Sequence, residues 1–113
     1  MEIEIRRDST PTLKFVVTNS DGSAANLNSC TIALNAIDES GNIVLSKSLD
    51  DGLSLDADPA TGIFYWAIAT SDTSAFTGSR RLFFDALIQT SAGDAFNVAV
   101  DSILHVKSNI TRV

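Results

Sequence analysis

The chain has 113 residues, roughly the size of one domain with a single core. Its formal net charge of −6, from 14 acidic and 8 basic residues, argues against a phosphate-binding surface, because nucleic-acid binders cluster Lys and Arg on one face. One cysteine excludes an intrachain disulfide, and one cysteine with one histidine excludes a zinc site built from a single chain.

The first third of the chain is a series of short strands separated by turn residues. Glu2–Arg6 alternates polar and apolar residues, which predicts a strand with one buried face. Pro11 interrupts this pattern because it cannot donate a ladder hydrogen bond. Leu13–Thr18 resumes as a second strand and ends at the turn Asn19–Gly22. Cys30–Ile37 then alternates again and predicts a third strand.

The middle of the chain predicts two hairpins. Asp38–Asn42 is a loop between the third strand and Ile43–Leu49. Ile43, Leu45 and Leu49 are predicted to share an apolar face that Lys47 interrupts, which favours a strand near a sheet edge. Asp58–Gly62 (DPATG) predicts a type I turn that closes on a left-handed glycine.

The two strongest strand signals flank a short link. Gly62–Ala69 and Arg81–Gln89 are rich in aromatic and branched residues, and they are predicted to be neighbouring strands. The link Thr70–Gly78 predicts one short helical turn, near residues 71–77, that ends at Gly78, with Phe76 packing on the core.

The last strand, Ala95–Lys107, changes phase near Asp101–Ser102, which predicts a β-bulge. The chain therefore holds about seven or eight short strands and no amphipathic helix. This pattern predicts an all-β fold, an antiparallel β-sandwich, with residues 1–113 forming a single domain.

No catalytic or cofactor site is predicted. His105 is the one histidine and Asp85 the one acid within an apolar strand, so neither nucleophilic catalysis nor a carboxylate pair has its second group. The four aspartates in the two turns of 50–58 leave two interpretations open, which are a calcium site and solvated turn residues. We expect no enzyme activity and no cofactor.

The remaining candidate residues suggest surface contacts. Arg6-Arg7 and Arg80-Arg81 are two basic pairs, expected to be solvated strand ends or subunit contacts rather than an anion site. Tyr65 and Phe83 lie on the faces opposite the predicted core, where each either packs under a loop or meets another subunit. Either Tyr65 or Trp66 is the candidate platform for stacking a sugar.

The order of four stretches resembles a family of phage proteins. They are Ile3–Gly22 (IEIRRDSTPTLKFVVTNSDG), Asp58–Phe64 (DPATGIF), the SDTSAFTG link with the FFDALIQ strand inside 71–89, and Ile103–Arg112 (ILHVKSNITR). The chain resembles the immunoglobulin-like N-terminal domain of phage baseplate upper proteins and related small virion proteins of tailed phages. The resemblance implies an immunoglobulin-like sandwich without enzyme activity.

The resemblance implies a structural protein of a tailed bacteriophage particle, in the tail, at the baseplate or where tail fibres attach. The first alternative is a capsid decoration (cement) protein, and the second is a carbohydrate- or receptor-binding module. The expected location is the virion, and no signal peptide is expected. The expected partners are other virion proteins, and a homo-oligomer is left open. Neither nucleic acid nor a membrane is expected as a partner. The predicted docking surfaces are the strands Glu2–Arg6 and Ile43–Leu49, and the predicted interface residues are Ile3, Ile5, Arg6, Arg7, Ile43, Lys47, Tyr65 and Phe83.

Overall fold

The computed structural model describes residues 2–7, 9–74, 80–91 and 93–107. Its strands are β1 (Glu2–Arg6), β2 (Thr12–Val16), β3 (Thr31–Ile37), β4 (Ile43–Leu49), β5 (Gly52–Leu55), β6 (Ile63–Ala67), β7 (Arg80–Gln89) and β8 (Ala95–Lys107). A 3-10 turn occupies Pro59–Thr61, and a short helix, α1, occupies Thr70–Thr73. Neither described helix is long and apolar enough to cross a membrane. The predicted Phe76 and Gly78 contacts lie outside the described residues.

The strands form one curled sheet in the order β1-β8-β7-β3-β4-β5-β6-β2. The link between β4 and β5 consists of two residue pairs, and there the sheet turns over. It divides the sheet into a five-stranded half (β1, β8, β7, β3 and β4) and a three-stranded half (β5, β6 and β2). The strand order within each half is that of the corresponding sheet of an immunoglobulin-like sandwich. The predicted all-β fold with one short helix is therefore confirmed.

The pairing is mixed rather than purely antiparallel. Among the described residues, β1 pairs parallel with β8 and β4 pairs parallel with β5, whereas the other pairings are antiparallel. β1 and β8 are the first and last strands, so no hairpin turn fixes their relative direction.

The core lies between the two halves and contains an aromatic cluster. Phe15 stacks on Phe64 at 4.9 Å, and the edges of Phe15 and Trp66 meet Phe84 at 6.1 Å and 6.0 Å. Phe84 belongs to β7 and the other three rings belong to β2 and β6. The prediction that β6 and β7 are neighbouring strands is therefore wrong. They lie in opposite halves and contact each other across the core, because their link changes sheets instead of forming a hairpin.

The DPATG segment adopts the predicted turn. The Asp58 carboxylate accepts a hydrogen bond from the Ala60 N–H at 3.2 Å, and Gly62 has a φ of 75°. A Cβ on Gly62 would lie 2.3 Å from the carbonyl oxygen of Val17, so only glycine fits between β6 and the chain after β2.

Two irregularities change which face some side chains occupy. Between β7 and β8 the pairing moves from Phe84–Ser102 to Ala86–Val98, so β8 contains two extra residues and the bulge predicted near Asp101–Ser102 is confirmed. A second register shift places Ile43 opposite Ile37. This shift moves Ile43 away from the face of Leu45, and its side chain is 64% exposed. The predicted apolar face of Ile43, Leu45 and Leu49 is therefore wrong at Ile43, whereas Leu45 and Leu49 both pack on the core.

Lys47 has an internal partner that the sequence pattern does not indicate. The Lys47 side chain passes over Gly52, and a Cβ on Gly52 would lie 2.9 Å from the Lys47 Cδ. The Lys47 Nζ lies 2.7 Å from the Asp72 carboxylate of α1. The same carboxylate accepts a hydrogen bond from the Ala69 N–H at 2.9 Å, which satisfies the start of α1. The ion pair thus attaches α1 to β4. β4 pairs with β5 over its last two residues, and the rest of its second edge has no strand partner among the described residues.

The Lys47→Met variant should be less stable by about 3 kcal/mol, because it leaves the buried Asp72 carboxylate without its cation. Urea unfolding monitored by fluorescence measures the change. Adding Asp72→Asn to Lys47→Met should recover part of the loss, since asparagine still accepts from Ala69 and carries no charge. Equal stability of Lys47→Met and the wild type would contradict the structural role of the pair.

The Trp66→Ala variant should lose about 3–5 kcal/mol of unfolding free energy, because Trp66 is 0% exposed within the core. The matched control is Val16→Ala on the neighbouring strand β2, whose side chain is 60% exposed and should change stability little. Chemical denaturation of both variants, followed by circular dichroism, gives the comparison. A small effect at Trp66 would mean that the ring is not in the core.

Candidate functional site

The outer face of the five-stranded half carries residues that alternate with the core positions. On β3 and β7 the register pairs Ile37 with Phe83 and Asn35 with Asp85. Each of these side chains is exposed or half-buried, whereas the intervening residues are buried. The face is therefore a continuous surface that adjacent strands hold in register.

An apolar groove of about 320 Å³ crosses this outer face. Its described lining consists of Asn35, Ile37, Ile43, Phe83, Phe84 and Asp85. The bulge in β4 supplies Ile43, whose exposed side chain stands beside Ile37. An apolar side chain as exposed as that of Ile43, standing in a groove, marks a surface that can bury apolar area against a partner.

A basic corner lies next to the groove, at the end where β7 begins and β8 ends. Arg81 pairs in register with His105, and its guanidinium lies 5.4 Å from the centre of the Phe83 ring. Arg80, Arg81, His105 and Lys107 line one depression of about 150 Å³ together with Glu39. In the sequence, Arg80-Arg81 is an isolated basic pair. The β7–β8 hairpin could have indicated the neighbouring His105 and Lys107, because it places the start of one strand beside the end of the other.

The predicted docking strand β1 is partly internal. Ile5 in β1 and Arg7 directly after it are each 5% exposed, and this burial removes both from the predicted docking surface. Ile3 is half-buried against the core. Arg6 is exposed and forms a solvent-exposed ion pair with Glu4 at 3.9 Å, the kind of pair that contributes little stability.

The other predicted interface residues are distributed over both halves. Ile43 and Phe83 meet in the groove, and Lys47 is held by the ion pair to Asp72. Tyr65 lies on the outer face of the three-stranded half, away from the groove. Its hydroxyl donates a hydrogen bond to the Asp56 carboxylate at 2.7 Å.

Two alternative sites do not form as the sequence suggested. Trp66 is fully buried, so the prediction that its ring is an exposed platform for sugar is wrong. In the acidic turns, Asp56 accepts hydrogen bonds from Tyr65 and from the Asp58 N–H, and Asp58 accepts from Ala60. Within the described ranges, no group of three or more His, Cys, Asp or Glu side chains could hold a metal ion.

Comparison with protein-family models gives no match, and comparison with curated proteins gives none. Among solved structures, the chain is similar to the N-terminal domain of phage TP901-1 ORF48, with 11% identity, a TM-score of 0.47, and coverage of 96% of this chain and 85% of that chain. It is also similar to AggA, the major subunit of aggregative adherence fimbriae type I from Escherichia coli, with 11% identity, a TM-score of 0.32, and coverage of 96% and 89%. Likenesses this remote carry no argument about function.

The hydrogen bond between Tyr65 and Asp56 should be visible in their titration. The Tyr65 hydroxyl lowers the pKa of Asp56 below its ordinary 3.8, and Asp56 raises the pKa of Tyr65 above 10.0. In Tyr65→Phe, NMR titration should show the pKa of Asp56 moving up towards 3.8. The stability that the bond gives is present above the unfolded-state pKa of the aspartate, and it is lost as the pH falls through the lower folded value.

The matched control for that titration is Asp38, whose pKa is lowered chiefly by the backbone N–H of Asn42. Its titration should be the same in Tyr65→Phe and in the wild type. An Asp56 pKa that does not respond to the loss of the Tyr65 hydroxyl would show that the hydrogen bond does not form in solution.

Proposed function

We propose that the chain is a non-enzymatic structural domain of a tailed bacteriophage particle, and that it docks on other virion proteins through the outer face of its five-stranded half. The observation that carries this proposal is the exposed apolar groove at Ile37, Ile43 and Phe83, beside the basic corner. A groove of this kind supplies contact area for assembly. The resemblance of four ordered sequence stretches to baseplate-protein domains supports the phage particle as the setting.

The position we favour is the tail, at the baseplate or where tail fibres attach, because the resemblance is to baseplate upper proteins. A rigid sandwich with one contact face suits a position that the symmetry of the particle repeats. The alternative is a capsid decoration protein, for which the same face would bind the head lattice.

Quantitative mass spectrometry of purified particles tests both positions. We expect roughly a few tens of copies or fewer per particle, because the tail has low rotational symmetry. Roughly several hundred copies would instead favour the capsid lattice. Absence from particles that contain the other virion proteins would contradict the proposal as a whole.

A further inference from the structure

We infer that the outer face of the five-stranded half binds a second copy of this chain, related to the first by a two-fold axis that crosses the strands at Phe83. This inference rests on the proposed function, because it names which protein molecule of the particle the docking face meets. A particle that repeats its parts by symmetry supplies such a copy beside the first. Three neighbouring side chains on β7 identify both the partner and the axis.

An apolar row crosses the outer face from strand to strand. The register pairs Phe83 of β7 with Ile103 of β8 and with Ile37 of β3. Ile37 is paired in turn with Ile43 of β4, which is 64% exposed, whereas the other three side chains are half-buried. A two-fold axis along this row places each apolar side chain against the same side chain of the other copy, so that the whole row is buried.

Two oppositely charged side chains flank Phe83 on the same face of β7. Arg81 precedes Phe83 by two residues and Asp85 follows it by two, so all three side chains point outward. Arg81 lies over the Phe83 ring at 5.4 Å, and Asp85 lines the apolar groove. Within the described part of the chain, neither the Arg81 guanidinium nor the Asp85 carboxylate has an ion-pair partner.

The axis across the strands makes this line of three side chains complementary to itself. It reverses the direction of β7, so Arg81 of each copy lies over the partner's Asp85. Both unpaired charges thereby gain an opposite charge beside the buried ring, where the exclusion of water strengthens their attraction. Sheets that pack face to face lie about 10 Å apart, a gap that side chains from both faces fill.

An axis along the strands is less complementary. Placed on β7, it would set Arg81 against Arg81 and Asp85 against Asp85. Placed between β7 and β3, it would bring Arg81 near Glu39, but Asp85 would face Asn35 and would still lack a cation. The axis across the strands is therefore the one that pairs both charges.

The other charges of the face do not favour a partner of one sign. Acidic and basic side chains share its depressions, namely Glu2 and Glu4 with His105 and Lys107, and Asp38 and Glu39 with Arg80 and Arg81. A segment of either sign would meet like charges in both depressions. A second copy carries the same mixture, and the acids of β1 then lie at the exposed rim, where salt screens them.

The face is large enough for a dimer interface. Strands about 4.8 Å apart that rise about 3.3 Å per residue give the five-stranded half a footprint of roughly 20 by 30 Å. The relief of the side chains raises the accessible area above this footprint of about 600 Å², towards the roughly 800 Å² that each partner of a standard interface buries.

Analytical ultracentrifugation of the wild-type domain tests the dimer. We expect reversible dimerisation, and a domain that stays monomeric up to about 0.5 mM would overturn the inference. Arg81→Glu and Asp85→Lys should each raise the dimer dissociation constant by about tenfold or more, because each sets two pairs of like charges against one another. Arg81→Gln and Asp85→Asn serve if a charge reversal lowers the thermal midpoint, and they should weaken the dimer less.

Mixing the two charge-reversal variants tests the axis. Arg81→Glu and Asp85→Lys should form a heterodimer when mixed, with an affinity near that of the wild type, because every reversed charge then meets an opposite one. A mixture that does not associate would overturn the inference. Rescue of Arg81→Glu by Glu39→Lys in its place would put the axis along the strands and would also overturn it.

Ile43→Ser should weaken the dimer by about tenfold as well, because it shortens the apolar row. The matched controls are Val16→Ser and Lys14→Glu on β2, which change an exposed apolar residue and an exposed cation of the other half. They should leave the dimer unchanged, and an equal loss in them would overturn the inference. A dimer that is absent from particles contradicts the proposed function alone, whereas a monomer that is present in particles contradicts the second copy alone.

Discussion

The contact between Trp66 and Phe84 across the core determines the architecture of this domain. The two residues belong to strands that lie on opposite sides of the sandwich, and their ring centres are 6.0 Å apart. A sheet with this many large apolar residues on one face cannot remain open in water, so it curls until that face is covered by itself. The turn-over at β4 and β5, where two residue pairs connect the halves, is the place where the sheet bends.

Closing the core also places polar groups where water cannot reach them. The Asp72 carboxylate is buried and is compensated by Lys47 and by the Ala69 N–H. In the described part of the chain, Trp66 Nε1 and Ser102 Oγ are buried without a hydrogen-bond partner, and each such group costs about 1–3 kcal/mol. The apolar contacts of the two halves outweigh these costs, so the closed sandwich is maintained by packing more than by polar pairing.

The same closure separates the residues that stabilise the fold from those that face outward. Because side chains alternate along a strand, each core residue of β3 and β7 has a neighbour on the outer face. Phe84 packs in the core, and the adjacent Phe83 lines the groove. The outer residues can therefore vary while the inner ones keep the fold.

The alternation of residues determined the strands, the turn at Gly62, the bulge near Ser102 and the all-β class, because these features depend on local backbone preferences and on which residues avoid water. The tertiary structure decided which strands are neighbours. It placed Gly62–Ala69 and Arg81–Gln89 in opposite halves, because a link can change sheets without changing the pattern of either strand. It turned Ile43 outward through a one-residue register shift, paired Lys47 with Asp72 and assembled the basic corner. Each of these depends on contacts between residues distant in sequence, which periodicity does not record.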